Sequence, residues 1–485
     1  MTTNNPDPTL PYQSLPQSPP QGTPEPTPGE PHDPYAALRL PNFRRYFIGN
    51  SCATFGIQMA GVTVAWELYA KTNSAVALGF VGLVQIVPII GFALLAGHIV
   101  DRFNRGRIIL IATFLLMLSY TLLGFSSRFM SGRVDSPFFT SLNHVVASFA
   151  HLFGDRTGQF TSPHVPILLL LLFFNGCVRA INQPAKQSIF PMLVPAPHLA
   201  NAVTWNSSLF ETCNMLGPSL AGLVLAILLS HTVGSIWAYA VIYWFTAFCQ
   251  LVQFINIARI RMDHPARARE PLTLRTLLAG VHFVFNNKII LPTITLDLFA
   301  VLLGGATALL PVFARDILHV GPLGLGILRA APSLGAITMS VILAHSPPMQ
   351  NAGRNMLVAV AGFGIATIVF GLSHLFWLSM IALILTGAFD SISVVVRHTL
   401  VQLLTPDAMR GRVSAVNSVF ISTSNELGEF ESGITAQWGK NLLGPIAGPM
   451  GAVIAGGVGT LFVVALVTFR WPEVRAVKSL SHAGA

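Results

Sequence analysis

The sequence predicts an all-α integral membrane protein, with twelve transmembrane helices arranged as two six-helix bundles related by an internal repeat. Three observations predict it. Of 485 residues, 52% are hydrophobic and only 10% are charged, against roughly 25% charged in an average soluble domain. Twelve apolar runs follow one another, most of them long enough to cross a hydrocarbon core about 30 Å thick. Landmarks of the first half also recur in the second. A soluble chain of this length would divide into domains that each need a charged surface, so soluble enzymes are excluded.

Taken in order, residues 1–41 hold twelve prolines and no Lys or Arg before Arg39. That composition predicts a disordered tail, and it lacks the basic and apolar regions of a signal peptide. The N-terminal bundle, 42–258, contains spans at 43–70, 75–99, 107–127, 165–190, 200–229 and 235–258, with a polar insert at 128–164 between the third and fourth. A basic linker, 259–287, leads to the C-terminal bundle, 288–471. Its spans are 288–313, 323–344, 355–373, 375–401, 412–437 and 446–470, and a short tail, 472–485, follows. The even count puts both termini on one side. With that side inside, nineteen Lys and Arg fall in inner segments and six in outer ones, which makes both termini cytoplasmic in a cell (inner) membrane.

The repeat is visible in NRGRIILIA from Asn104 and NAGRNMLVA from Asn351, an offset of 247, and in Pro195, Asn206 and Ser207 against Pro406, Asn417 and Ser418, an offset of 211. The shortfall between the two offsets matches the length of the insert. Within it, FFTSLNHVVASFAHLF places Phe138, Leu142, Val145, Phe149 and Leu152 at helical spacing. That amphipathic helix is expected to rest in the outer interface. The linker segment LRTLLAGVHFVF predicts a similar helix on the inner surface.

Basic residues are scattered between apolar runs rather than gathered on a soluble face, so nucleic acid is not an expected partner. Cys52, Cys177, Cys213 and Cys249 lie inside apolar runs with no CxxC spacing, and His144, His151, Asp155 and His164 fit no standard metal site. No metal or cofactor is expected. There is no GxxxxGK[ST] to bind ATP.

Between spans 2 and 3 stands GHIVDRFNRGR, from Gly97 to Arg107. It resembles the loop signature of the major facilitator superfamily, with Gly97, Asp101, Arg102, Arg105 and Arg107 matching in kind while Asn104 and Gly106 depart from the usual order. The segment from Arg179 to Gly222 is similar to the branch of enterobactin exporters and macrolide efflux permeases. The resemblance covers about residues 40–470. It implies the major facilitator fold, a monomeric secondary transporter, and a role for Asp101 in bridging the halves when the cytoplasmic side is closed. It also likens Gly217, Pro218 and Gly222 in span 5 to an exporter motif, where small residues permit close helix approach.

Ionisable groups within spans are costly, about 2.5–3.5 kcal/mol each at a helix centre on insertion scales, and mark function. Arg179 and Glu211 each lie about 16 Å from the inner ends of their spans at 1.5 Å per residue, and are expected to pair. The repeat sets Arg179 against Asp390, and Asp390 and Arg397 are seven apart on one helix face. Glu211, with Asp297 or Asp390, is the expected acceptor of a coupling proton. Glu429 and Glu431 are expected in a structural pair with Arg329 or in a hydrated vestibule, and Glu67, at the outer end of span 1, is expected to be solvated. Gln183, Trp205, Asn206, Phe210, Asn214, Asn425 and Glu426 are candidates for the wall of a substrate cavity. These residues point to a proton-coupled exporter of small amphipathic molecules, drug or siderophore type, embedded in the lipid bilayer. The alternatives are an uptake carrier, a lysolipid translocator, or a non-transporting sensor or scaffold.

Overall fold

The computed structural model describes residues 33–477 except 131–136, 156–157, 159, 161, 261–280, 305 and 348. Residues 1–32 of the proline-rich tail, most of the linker with the start of its amphipathic segment, and the last eight residues lie outside the described residues. The N-terminal half is built from α1 (Pro41–Thr72), α2 (Ala75–Arg102), α3 (Arg105–Phe129), α4 (Pro137–Leu152), α5 (His164–Ile189), α6 (Leu199–Leu229) and α7 (Thr232–Ala258). The C-terminal half has α8 (Ile290–Leu303), α9 (Gly321–His345), α10 (Ala352–Leu372), α11 (Phe376–Leu404), α12 (Asp407–Leu443) and α13 (Ala447–Arg470).

Polar and conformationally permissive residues set the helix ends. Asn73 closes α1 in the left-handed region at φ 54°, which asparagine tolerates. Ser74 then caps α2 by accepting from the Ala77 N–H at 3.0 Å, and Asn104 caps α3 by accepting from the Arg107 N–H at 3.2 Å. The expected spans coincide with long helices within a few residues, save the seventh. There α8 ends at Gly304, and the chain continues through a 3-10 turn at Ala306–Leu309, a short α-turn at Leu310–Val312 and a π-turn at Phe313–Ile317. Pro311 has no N–H to give to a regular ladder. Ten of the described helical stretches are long and apolar enough to cross a membrane. Helices α1 and α12 are as long but more polar, and α12 carries Glu426, Glu429, Glu431 and Lys440 on one continuous rod.

Packing follows the repeat. Helix α1 lies on α6 and α7, α3 on α5 and α7, and α2 on α5; in the other half α11 lies on α9 and α10, and α13 on α10 and α12. The halves meet where α2 crosses α12 and where α6 crosses α9. Because the repeat relates span 2 to span 8 and span 5 to span 11, these two crossings are the same contact seen from either half. A core of Tyr69, Leu78, Leu225, Phe313, Leu325 and Phe370 bridges the halves on the side opposite both described chain ends, called here the far side.

The insert forms α4 as its periodicity predicts. Phe138, Val145, Phe149 and Leu152 are exposed along one face, while Asn143 and Ala150 are buried on the other.

Candidate functional site

Close approach closes the far side. A Cβ added at Gly222 would stand 2.5 Å from the Pro322 carbonyl oxygen and 2.9 Å from the Gly326 Cα, so α6 and α9 touch backbone to backbone. The equivalent crossing has Gly433 of α12 against Gly79 of α2, where a Cβ would meet the Gly79 Cα at 2.8 Å. Gly217 instead lies against Gln58 and Phe55 of α1. The three positions likened to an exporter motif thus serve two different contacts.

Polar groups seal the same end. The Tyr69 hydroxyl donates to the Asp316 carboxylate, Arg315 donates to the Tyr69 carbonyl at 3.4 Å, and Lys440 reaches the Tyr69 hydroxyl at 3.5 Å and the Asn73 carbonyl at 3.4 Å. Both cations also face the Tyr69 ring, at 5.4 and 5.5 Å from its centre. Burial holds the Lys440 ammonium below the usual lysine range, with Asp316 and Asp155 pulling it back up. The insert joins the seal. Asn441 donates to the Gly154 carbonyl at 2.7 Å, and Phe153 meets Phe430 edge-on at 5.3 Å.

Toward the termini side the halves separate around a cavity of about 730 Å³, in the size range of small-molecule sites. Its wall comes almost wholly from the N-terminal half; Ala308, Arg329, Glu426 and Glu429 are the contribution of the other half. Across it, Arg179 bonds Gln85 at 2.6 Å and stands 3.7 Å from Glu426. Lys186 donates to Asn50 at 3.1 Å.

Sequence candidates divide accordingly. Gln183, Asn206, Phe210, Arg179 and Glu426 line the cavity. Trp205 does not: its indole donates to the Pro34 carbonyl at 2.9 Å and holds the chain entering α1. Asn425 turns back to the Ile421 carbonyl at 3.0 Å, and Asn214 is absent from the wall. The expected Arg179–Glu211 pair is replaced by Arg179–Glu426, because Glu211 on α6 turns to Ser333 of α9. Arg397 pairs with Asp297 of α8, both buried, rather than with Asp390 on its own helix. Glu429 joins Arg329 in the cavity wall, whereas Glu431 accepts from Thr435 at 2.7 Å. In the loop signature, Arg105 reaches the Ser188 carbonyl at 3.3 Å, and Arg107 contributes the capping N–H of α3. The side chains of Asp101 and Arg102 and the surroundings of Gly97 lie outside what is described.

Glu67 is not solvated. It has no exposure and takes Lys71 at 2.6 Å, Ser127 at 2.6 Å, Tyr243 at 2.8 Å and His164 at 3.2 Å, so α1, α3, α5 and α7 are tied at one carboxylate. Sequence reading missed this knot and the Lys186 position. The second was signalled by polar residues recurring at helical spacing along α5.

The profile described as transmembrane secretion effector matches residues 32–135 and 139–483. The chain is 26% identical over 439 residues to the enterobactin exporter of Citrobacter koseri, covering 90% of this chain and 93% of that protein. It is 23% identical over 376 residues to the staphyloferrin A transporter of Staphylococcus aureus, covering 77% and 84%. Among solved structures, a D-xylose–proton symporter superposes with a TM-score of 0.65 at 13% identity, over 90% of this chain and 99% of that one. An inward-facing bacterial homologue of the human lysosomal transporter Spinster gives 0.62 at 14% identity, over 92% and 99%. With ten stretches among the described residues long and apolar enough to cross a membrane, two facing halves and a cavity between them, the chain belongs to the transmembrane secretion effector family of the major facilitator superfamily and is a multi-pass membrane transporter.

Proposed function

We propose that the protein is a proton-coupled exporter of small amphipathic molecules, of drug or siderophore type, working by alternating access with both termini in the cytoplasm of a cell carrying it in its inner membrane. The observation that carries this reading is the cavity itself: it reaches the termini side, is closed at the far side by two glycine crossings, and is bridged at mid-depth by the Arg179–Glu426 pair. That arrangement is the cytoplasm-facing half of a transport cycle, with cargo entry from the side on which exported molecules are made. The name of the enterobactin exporter supports the direction, and the names of both siderophore-handling relatives support the cargo type.

Glu426 is the carboxylate best placed to exchange the coupling proton. It belongs to one half, faces the cavity and pairs with a cation of the other half, so its protonation weakens a contact that must break when the halves rock. Asp297 is held by Arg397, and Glu211 stands outside the cavity wall, so both rank behind it.

The test is purified protein in liposomes with an internal pH dye, challenged with siderophores, macrolides, lipophilic cations and lysolipids. Substrate-triggered proton flux in wild type, lost in Glu426→Gln and retained in Glu211→Gln, is the expected result. Equal flux in wild type and Glu426→Gln removes Glu426 from the coupling step, and no flux with any cargo in folded protein overturns the exporter reading.

A further inference from the structure

The cavity face of α5 is chemically one-sided. Leu172, Asn175, Arg179, Asn182, Gln183, Lys186 and Gln187 line the cavity and recur at helical spacing, so one stripe of one helix supplies them. The stripe offers two cations and four carboxamides, and no carboxylate. Arg179 and Lys186 are seven residues apart, which places them about 10.5 Å apart along the axis on nearly the same face. The deeper cation, Arg179, is countered by Glu426. Lys186 has an amide partner in Asn50, and among the described residues no carboxylate lies within ion-pair distance of it. Within that wall, Asn175 and Asn182 are largely buried and have amide atoms that lack hydrogen-bond partners, as does Gln250 of α7. Buried polar groups of this kind are costly unless something completes them.

We propose that this face of α5 is a track for the acidic group of the cargo, and that the cargo class is an anion rich in hydroxyl or amide groups rather than a lipophilic cation. The inference rests on the transport reading above and narrows it. An incoming carboxylate first meets Lys186, the cation nearer the termini side, and passes the amides of Gln183 and Asn182. It then reaches Arg179, where it takes the place of the Glu426 carboxylate. Glu426, released from its cation, is then free to accept a proton. Arrival of cargo and loading of the proton are thereby linked at one guanidinium. The carboxylates of the opposite wall, Glu426 and Glu429, repel an anion and keep its acidic end on α5.

The test uses purified full-length protein and equilibrium binding by calorimetry, with citrate and 2,3-dihydroxybenzoate as anionic probes and tetraphenylphosphonium as the cationic one. Wild type is expected to bind at least one anionic probe and to lose affinity for it as salt rises. Lys186→Met is expected to weaken that binding about tenfold or more, the scale of one charge-assisted hydrogen bond. Lys186→Arg should restore it, and neither substitution should weaken tetraphenylphosphonium. Thermal melts verify that each variant is folded. Wild type that binds and transports the cation but neither anion overturns the track while leaving the exporter standing. Anion binding that Lys186→Met leaves intact also overturns it. Anion binding that depends on Lys186, in protein that moves no cargo in liposomes, upholds the site and sinks the exporter.

Discussion

Glu67 shows what a single buried carboxylate can hold in place. Lys71, His164, Ser127 and Tyr243 all converge on it from four helices, and none of that cluster belongs to the cavity. Removing one partner of such a cluster leaves the opposite charge buried without compensation, which costs about 3–5 kcal/mol. Glu67→Gln is therefore expected to lower the thermal unfolding midpoint of the purified protein by several degrees, with Glu67→Asp falling between it and wild type. An unchanged midpoint would mean that the cluster contributes little net stability. The sequence offered no route to this residue. Its position at the end of a span is the same whether it faces water, lipid or neighbouring helices, and its partners Ser127 and Tyr243 lie 60 and 176 residues away along the chain.

At the scale of helices, most of the architecture was legible because membrane spans are local: an apolar run bounded by charges defines one without knowledge of its neighbours. The α5 stripe repeats with the helix in the same local way, yet of its polar residues only Arg179 and Gln183 were singled out. Contacts between helices were not. Arg179 was matched to Glu211 by depth alone, and depth does not say that Glu426, on the other half, is nearer. The broken end of α8 also escaped, since the apolar run continues unchanged through Gly304 and Pro311. The α6–α9 crossing gives a prediction at this scale. Gly222→Leu places a branched side chain where the Pro322 carbonyl and the Gly326 backbone stand, and rigid backbone cannot yield as a flexible side chain can. The substitution is expected to drive the far side open, raising the reactivity of a cysteine placed at Leu325 toward a membrane-impermeant thiol reagent added from the far side. Unaltered reactivity would show that the crossing tolerates the bulk.

For the whole molecule, the seal and the insert act together. Phe153 of the insert packs on Phe430 of α12, and Phe430 stacks on Phe80 of α2 at 6.4 Å, beside Lys440 and its partners. If alternating access parts the halves here, the insert must release α12 in every cycle. In a background lacking the four native cysteines, Phe153→Cys combined with Phe430→Cys and joined by a reducible bifunctional reagent is expected to stop flux, and reduction to restore it. Flux that continues through the cross-link would show that the insert travels with α12.

The polarity of α12 also bears on how the protein is made. A helix carrying three carboxylates in its second half is a poor client for lateral release into lipid, since each charge near the centre is taxed as the segment leaves the insertion channel. Its stabilising neighbours are unequally timed: α2 and α8 emerge before it, but α13 is the last long helix translated. Insertion of α12 therefore depends on a partly assembled scaffold and is completed only when the final helix arrives. A chain halted before α13 enters the membrane would leave its most polar helix supported by α2 and α8 but without its third neighbour. Quality-control proteases would meet the protein at that stage.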